Sequence, residues 1–235
     1  MADGKFIVIE GIDGSGLTTQ AEMLKQGLQK KGFETYLTKE PTDGPAGAII
    51  RLALAGRLVY RPSESARESL PDLTLALLFA ADRVDHLFNY ILPKLAVGIT
   101  VISDRYYLSS FAYQADGGDL DWLRQVNSKC RRPDLTIFLD VPVEISFKRM
   151  QRARWHVEVF EEAGQLERVR QNYLSAIDTL RREGEHIEIV DGTAPMAEVH
   201  RRIIQLAQRI GRPKAQVAHQ QIGFRDPGMG TGSDA

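Results

Sequence analysis

The sequence KFIVIEGIDGSGLTTQ, residues 5–20, carries the clearest structural signal in the chain. It begins with an apolar, largely β-branched run from Phe6 to Ile9, which predicts a fully buried strand. Glycines follow at positions 11, 14 and 16, and a helical pattern begins at Thr18. Backbone N–H groups in such a turn can surround phosphate oxygens, because glycine carries no Cβ that would block their approach. The order of strand, glycine-rich turn and helix therefore predicts a phosphate-binding loop.

The predicted loop follows the pattern G-x-x-x-x-G-K-[ST] with one exception, because Leu17 stands in the place of the lysine. The Thr18 hydroxyl is placed to reach a nucleotide-bound Mg²⁺. The alternative is a strand–helix turn that binds nothing, which explains the glycines but gives the loop carboxylate and the threonines no role. The residues predicted to bind the phosphates of a nucleotide are Gly11, Ile12, Asp13, Gly14, Ser15, Gly16, Leu17 and Thr18.

The composition is that of an ordinary globular protein. The chain has 235 residues, of which 43% are hydrophobic and 26% are charged, and this predicts one domain with a well-buried core. The net charge of −1 does not favour binding to nucleic acid or to a membrane surface. No apolar run approaches the roughly 18 residues of a membrane span, and we expect no signal peptide. Since Cys130 is the only cysteine, we expect no intrachain disulfide and a cytoplasmic location.

Strand and helix patterns alternate along the chain. Further strands are predicted at residues 33–38, 100–103, 135–140 and 186–190. Helices are predicted at residues 18–31, 45–55, 71–96 (kinked or shortened by Pro93), 109–114, 120–128, from 142 onward, 161–182 and 194–210, and residues 56–69 are predicted to form a loop. The alternation predicts an α/β fold: a five-stranded parallel sheet with helices on both faces, of the P-loop NTPase type.

We expect a single domain over residues 1–210, a short arginine-rich lid at about 149–160, and a disordered tail at 211–235.

Polar residues fall at the C-terminal ends of the predicted strands, which is the edge where open α/β sheets bind ligands. Phosphoryl transfer depends mainly on positioning and on neutralising negative charge. Thr18 and Asp104 offer oxygen atoms of the kind that Mg²⁺ prefers, so we predict that they hold the metal. The predicted catalytic residues are Asp13, Asp104, Arg105, Arg149, Arg152 and Arg154.

The chain resembles the thymidylate kinases, which make dTDP from dTMP with ATP and Mg²⁺. The resemblance covers roughly residues 5–210 and follows the family's order of motifs: FIVIEGIDGSG, TKEPT, FAADR, DRYYLSSFAYQ, LDVP, an arginine-rich segment and VDGT. It implies that ATP and dTMP are the partners, with no nucleic acid or membrane among them. It also implies a homodimer, for which the long helix at 72–96 is one candidate surface.

The resemblance also implies roles for residues around the acceptor. Arg51 would hold the acceptor phosphate, Phe79 would stack on thymine, and Arg83 would hydrogen-bond the carbonyl edge of the base. Ser110 would contact the lower edge of the base. Tyr113 would lie beside the sugar, and Gln114 completes the same motif.

For the residues at the phosphates, Asp13 would contact the deoxyribose 3′-hydroxyl or the metal. Asp104 and Arg105 would serve metal and phosphate, and the lid arginines would close on ATP.

These residues also have interpretations without a function. Phe79 suits a packed core, Arg83 a solvated helix face and Arg51 an ordinary surface. Asp104 and Arg105 suit a structural ion pair, and the lid arginines a solvated helix end.

Two positions depart from the family pattern. Leu17 replaces the lysine that bridges the β- and γ-phosphates, and Val159 stands where the family often has arginine. A unit charge about 4 Å from another is worth roughly 4 kcal/mol at an effective dielectric near 20, which corresponds to on the order of a thousandfold in rate. Backbone N–H groups do not depend on the side chain at position 17, so nucleotide binding would suffer less than turnover.

Three alternatives remain open from the sequence. A lid arginine supplies the missing charge and the chain is a working kinase, or the chain is a weakened kinase that keeps its nucleotide affinity. The third is a deoxynucleoside kinase, in which Glu40 would act as general base, although DRYYLSSFAYQ fits that class poorly.

Overall fold

The computed structural model describes residues 4–63, 66–68, 70–115, 120–151 and 159–210. Strands and helices alternate through most of this range. In chain order the elements are β1 (Phe6–Gly11), α1 (Leu17–Lys30), β2 (Thr35–Lys39), α2 (Pro45–Leu54), β3 (Tyr60–Ser63), β4 (Ala66–Glu68), α3 (Asp72–His86), a π-helical segment (Leu87–Ile91), α4 (Leu92–Ala96), β5 (Thr100–Asp104), α5 (Tyr107–Tyr113), α6 (Leu120–Val126), β6 (Leu135–Asp140), α7 (Val143–Gln151), α8 (Val159–Arg182), β7 (Ile187–Asp191) and α9 (Met196–Ile210).

The central sheet has five strands in the order β2-β5-β1-β6-β7, and every neighbouring pair is parallel. This confirms the predicted fold class. Strand β1 lies in the middle, with Ile9 in register with Asp104 on one side and with Ile137 on the other. The loop that follows β1 therefore emerges at the centre of the carboxyl edge of the sheet, where the predicted site residues were expected to meet.

Helices cover both faces of the sheet, and β1 contributes to both cores. Phe6 and Val8 pack with the helical layer of α3, α5 and α8, whereas Ile7 and Ile9 pack with α1 and α9. Successive side chains of a strand point to opposite faces, so a strand that is covered on both sides needs an unbroken apolar run. The run at residues 6–9 meets that requirement.

The structure corrects the prediction of a loop at residues 56–69. Strands β3 and β4 form an antiparallel hairpin there, with Tyr60 paired to Glu68 and Ser63 to Ala66. A strand is recognised in a sequence by the alternation of apolar and polar residues, and this polar segment lacks it. The two strands pair through backbone hydrogen bonds, which leave no such pattern in the sequence.

The long helix predicted over residues 71–96 is continuous but changes its winding. The π-helical segment Leu87–Ile91 joins α3 to α4, and Pro93 lies in the first turn of α4. Proline has no N–H to donate to the carbonyl four residues earlier, and a wider turn accommodates this without breaking the helix.

Two predicted segments lie wholly or partly outside the described residues: the tail at 211–235, and residues 152–158 of the lid. None of the described helices combines the length and the apolar composition of a membrane span.

Candidate active site

The loop between β1 and α1 requires glycine at position 14. Gly14 has φ +78°, in the left-handed region, and a Cβ there would lie 2.5 Å from the carbonyl oxygen of Ser146. Gly16 has φ +97° and precedes the first turn of α1. A larger residue at position 14 would clash with the start of α7, so the loop keeps its curve only with glycine.

The side chain of Leu17 points into the core. Leu17 is the first residue of α1, its side chain is 5% exposed, and it belongs to the core on the α1–α9 face together with Ile7 and Ile9. Its Cδ2 would lie 3.3 Å from a Cβ added to Gly11. The leucine therefore fastens the loop to the sheet and supplies no charge.

Thr18 and Asp104, the two residues predicted to hold the metal, lie side by side next to the loop. The Thr18 hydroxyl donates to the Asp104 carboxylate over 2.7 Å. No cluster of three or more histidine, cysteine or acidic side chains suited to a metal was found within the described residues. Mg²⁺ in nucleotide sites commonly takes one or two protein oxygens and completes its shell with phosphates and water. The pair of oxygens at Thr18 and Asp104 fits that requirement.

Asp13 and Arg105 form an ion pair at the mouth of the loop, with Nη2 and Oδ1 2.6 Å apart. Arg105 also donates to the carbonyl of Gly11 and to the hydroxyls of Ser109 and Tyr173. Its backbone has φ +72°, an uncommon conformation for a residue with a side chain. These contacts fix the guanidinium between the loop and α5.

Glu10 lies directly beneath the loop and was not assigned a role from the sequence. Its carboxylate accepts hydrogen bonds from the N–H groups of Tyr106 and Ser109 and from the hydroxyls of Ser109 and Tyr173. Burial raises the pKa of Glu10 to about 7, against the opposing effect of these donors and of Arg105. Through these hydrogen bonds, Glu10 joins β1 to α5 and α8. Its contact with Tyr173 could not be predicted from a local sequence pattern, because the two residues are far apart in the chain.

Two cavities meet at the carboxyl edge of the sheet. The loop cavity has a volume of about 550 Å³ and includes Gly14, Gly16, Thr18 and Asp104 in its lining. The acceptor cavity is smaller, about 170 Å³, and brings together several residues predicted to bind substrate: Phe79, Ser110, Tyr113 and Gln114. Asp13, Pro41 and Arg105 line both cavities. A donor and an acceptor bound in them would therefore face each other across the Asp13–Arg105 pair.

Arg83 lies one layer behind the acceptor cavity. It is 1% exposed and donates to the Glu40 carboxylate (2.9 Å), to Asn127 Oδ1 (2.5 Å) and to Ser110 Oγ (3.1 Å), as well as to the backbone carbonyl of Tyr106 (3.3 Å). Ser110 does line the cavity, so Arg83 orients a pocket residue. Its predicted bond to the base stays a prediction.

Arg51 lines the loop cavity and is anchored to the turn after β2. It donates to the Thr42 carbonyl and lies 3.6 Å from the Asp43 carboxylate. The turn is held in place by the buried Asp82, which accepts from the Thr42 N–H (2.8 Å) and hydroxyl (2.6 Å). No anchoring role for this carboxylate was predicted from the sequence.

Of the three predicted lid arginines, the structure describes Arg149, and Arg152 and Arg154 lie outside the described residues. Arg149 is on α7 and donates to the carbonyls of Ser15 (3.2 Å) and Gly192 (3.0 Å). It thus connects the phosphate loop to the turn after β7.

The five-stranded parallel sheet, the glycine loop under the N-terminus of α1 and the adjoining acceptor cavity define a nucleotide-binding kinase of the P-loop class. The sequence model of the family described as thymidylate kinase matches residues 9–203. The chain belongs to the thymidylate kinase family.

Curated relatives agree over most of the chain. A protein of Pyrococcus horikoshii named "Probable thymidylate kinase" is 44% identical over 207 residues, which cover 87% of this chain and 96% of the relative. A protein of the same name from Pyrococcus abyssi is 43% identical over 207 residues, with the same coverage. The "Thymidylate kinase" of Nitrosomonas eutropha is 37% identical over 227 residues, covering 94% of this chain and 100% of the relative. The individual site roles and the cytoplasmic location remain predictions.

Proposed function

We propose that this chain transfers the γ-phosphoryl group of ATP to the phosphate of dTMP, giving ADP and dTDP with the help of Mg²⁺. The observation that carries the proposal is the junction of the two cavities at Asp13, Pro41 and Arg105. Direct transfer needs donor and acceptor side by side, with positive charge between them and water kept out. Arg105 supplies that charge in a position fixed by hydrogen bonds to the loop and to two hydroxyls.

On the donor side, the backbone N–H groups of residues 11–18 would bind the triphosphate, aided by the N-terminus of α1. Thr18 and Asp104 would hold Mg²⁺, which supplies charge neutralisation on the phosphates when bound. Arg149, which contacts both Ser15 and Gly192, would keep the loop aligned with the turn after β7.

On the acceptor side, the half-buried Phe79 offers a ring to a flat base, and Ser110 and Gln114 offer polar groups around it. Arg51 lies on the loop side of the same region, where it would meet the acceptor phosphate. Arg83 would act by holding Ser110 in its orientation.

A second candidate function is that of a weakened kinase, and Leu17 is the observation that favours it. The side chain is committed to the core, so position 17 itself supplies no cation. This candidate predicts that ATP and dTMP raise the melting temperature of the protein without turnover. A deoxynucleoside kinase is less favoured, because the Glu40 carboxylate is buried and already accepts from Arg83 and contacts His86.

We also propose that the enzyme is a homodimer. Four large apolar side chains lie exposed along α3 and the π-helical segment at spacings of about one and two turns: Leu73, Leu77, Val84 and Phe88. Such a stripe on the outer face of a helix is typical of an interface between copies. The double substitution Leu77→Glu and Phe88→Glu should convert a dimer into a monomer in size-exclusion chromatography with light scattering. A monomeric native protein would contradict this proposal.

The function is tested by a coupled assay of ADP release with dTMP, dUMP, dCMP and dAMP as acceptors. We expect turnover with dTMP, little with the other nucleotides, and loss of turnover when EDTA removes Mg²⁺. Asp104→Asn should lower kcat by at least tenfold, since the carboxylate beside Thr18 loses its charge. Absence of dTMP-dependent ADP release at high enzyme concentration would reject the kinase proposal, and ligand-induced stabilisation in the same sample would favour the weakened kinase.

A further inference from the structure

Lys39 ends β2 and stands next to the phosphate site. Its Cα is in register with that of Asp104 on β5. In-register residues of neighbouring strands lie about 4.8 Å apart and point to the same face of the sheet. The Asp104 carboxylate reaches the Thr18 hydroxyl at 2.7 Å. The Lys39 side chain therefore leaves the sheet on the face of α1, beside the residue that follows Leu17.

Open space surrounds this side chain. Lys39 lines the loop cavity together with Gly14, Gly16 and Leu17. It also lines a neighbouring cavity of about 520 Å³ on the α1 side, to which Lys25 contributes as well. The ammonium group has room to swing from one cavity to the other.

The other described cations of the loop cavity are held in fixed positions by their existing contacts. Arg105 is bound to Asp13 and to three further oxygens, and Arg51 donates to the Thr42 carbonyl. Among the described residues, Lys39 makes one ion pair, in which its Nζ lies 4.0 Å from the carboxylate of Asp43, and its side chain is 62% exposed. An exposed pair of this kind contributes little to stability, so a triphosphate would readily draw the ammonium away.

We propose that Lys39 supplies the positive charge that position 17 lacks, by binding the β- and γ-phosphate oxygens of the donor nucleotide. The proposal rests on the proposed function. An oxygen of the acceptor phosphate forms a bond to the γ-phosphorus while the bond from that phosphorus to the β–γ bridging oxygen breaks. The negative charge that develops on the leaving ADP is stabilised by the Lys39 ammonium, which keeps its proton throughout.

In the usual pattern one lysine occupies position 17 and supplies the charge, whereas in this proposal two residues share these roles. Leu17 anchors the start of α1 in the core, and Lys39 brings the charge from the adjacent strand end. A long, flexible stem lets a lysine reach a site from a neighbouring strand. If Lys39 binds the β- and γ-phosphates, no lid arginine is needed to replace the charge that position 17 lacks.

The test compares Lys39→Met and Lys39→Arg, each in the native chain and in a Leu17→Lys background. In the native chain, Lys39→Met should lower kcat on the order of 100-fold, with the KM for dTMP changed by less than about twofold, whereas Lys39→Arg should keep most of the rate. In the Leu17→Lys background, Lys39→Met should cost less than about fivefold, because the new lysine takes over. Lys25→Met is the matched control, since it removes a cation from the neighbouring cavity alone, and its rate should equal that of the native chain.

A second readout does not depend on turnover. Lys39→Met should weaken the binding of ATP by about tenfold more than that of AMP in a thermal-shift titration, because AMP lacks the phosphates that the lysine would bind. A native rate in Lys39→Met, or the same loss of rate in both backgrounds, would overturn the inference. If the native chain shows no dTMP kinase activity, the proposed function fails by itself. The preference for ATP over AMP then decides on Lys39, and an unchanged preference rejects its role.

Discussion

Replacing Arg83 with methionine should destabilise the protein severely, although the residue was predicted to contact the substrate. The substitution keeps an apolar stem of similar length and removes a guanidinium that is 1% exposed. Burial is the largest single influence and disfavours that charge, but the Glu40 carboxylate at 2.9 Å, together with Cys130, Tyr106 and Glu10, outweighs it, and the pKa of Arg83 is raised above its ordinary value. Without the guanidinium, the carboxylate of Glu40, whose side chain is 2% exposed, loses its charged partner.

The magnitude follows from what remains around Glu40. Removing one partner of a buried ion pair costs about 3–5 kcal/mol. His86 Nδ1 lies 3.1 Å from the other carboxylate oxygen and remains available, which places the expected loss near the lower end, at about 3 kcal/mol. For a chain of this size, that loss corresponds to a fall in Tm of about 6–12 °C.

The assay is urea unfolding followed by circular dichroism at pH 7, with Arg124→Met as the matched control. Arg124 pairs with Glu183 where both side chains are about one-third exposed, so its removal should cost less than about 1 kcal/mol. Adding Glu40→Gln to Arg83→Met should recover part of the loss, because the unpaired charge is then gone. Equal unfolding free energies for Arg83→Met and Arg124→Met would refute this reasoning about the buried pair.

Three further predictions concern single residues. Leu17→Lys should lower the free energy of unfolding by about 2 kcal/mol, because an apolar side chain leaves the core. The same substitution should raise kcat by less than about tenfold if Lys39 already supplies the charge. A near-thousandfold gain in kcat would point to the weakened kinase. The pKa of Glu10 is raised from 4.5 to about 7 on folding, so the native state binds more protons than the unfolded state between these pH values. The free energy of unfolding should therefore fall by up to about 3 kcal/mol as the pH rises from 4.5 to 7. Glu10→Gln should flatten this fall in urea unfolding at pH 5 and pH 8, and parallel curves for the two proteins would disprove the assignment. Asp82→Asn should loosen the turn that anchors Arg51, and should therefore raise the KM for dTMP by about tenfold. The KM for ATP should stay unchanged. Equal changes in both constants would indicate a general loss of structure.

The fold could be predicted because its signals are local. The apolar run at residues 6–9 and the glycines after it identify a buried strand that enters a loop, and alternation along the chain gives the parallel sheet. The hairpin of β3 and β4 was missed because it lacks such a local pattern.

The candidate site residues were named from the sequence, but the directions in which their side chains point could not be predicted from it. Phe79 and Arg83 are four residues apart on one helix, yet Phe79 lines the acceptor cavity and Arg83 lies beneath it, held by Glu40 and Asn127. Spacing along a helix fixes a shared face but not the depth to which a long side chain is drawn by distant partners. The contact between Glu10 and Tyr173 likewise joins residues that no local pattern connects.

The central position of β1 has a consequence for how such an enzyme can diversify. Apart from Asp13, the lining of the acceptor cavity comes from residues 41–114, whereas Arg149 and Gly192, which brace the loop, belong to the opposite half of the molecule. Within the sheet the two halves meet at β1, and each is a contiguous stretch of chain; outside the sheet, α5 of one half packs against α8 of the other. Exchanging the first stretch between homologues should transplant the preference for the phosphate-receiving nucleotide while the preference for the phosphate-giving nucleotide stays with its host.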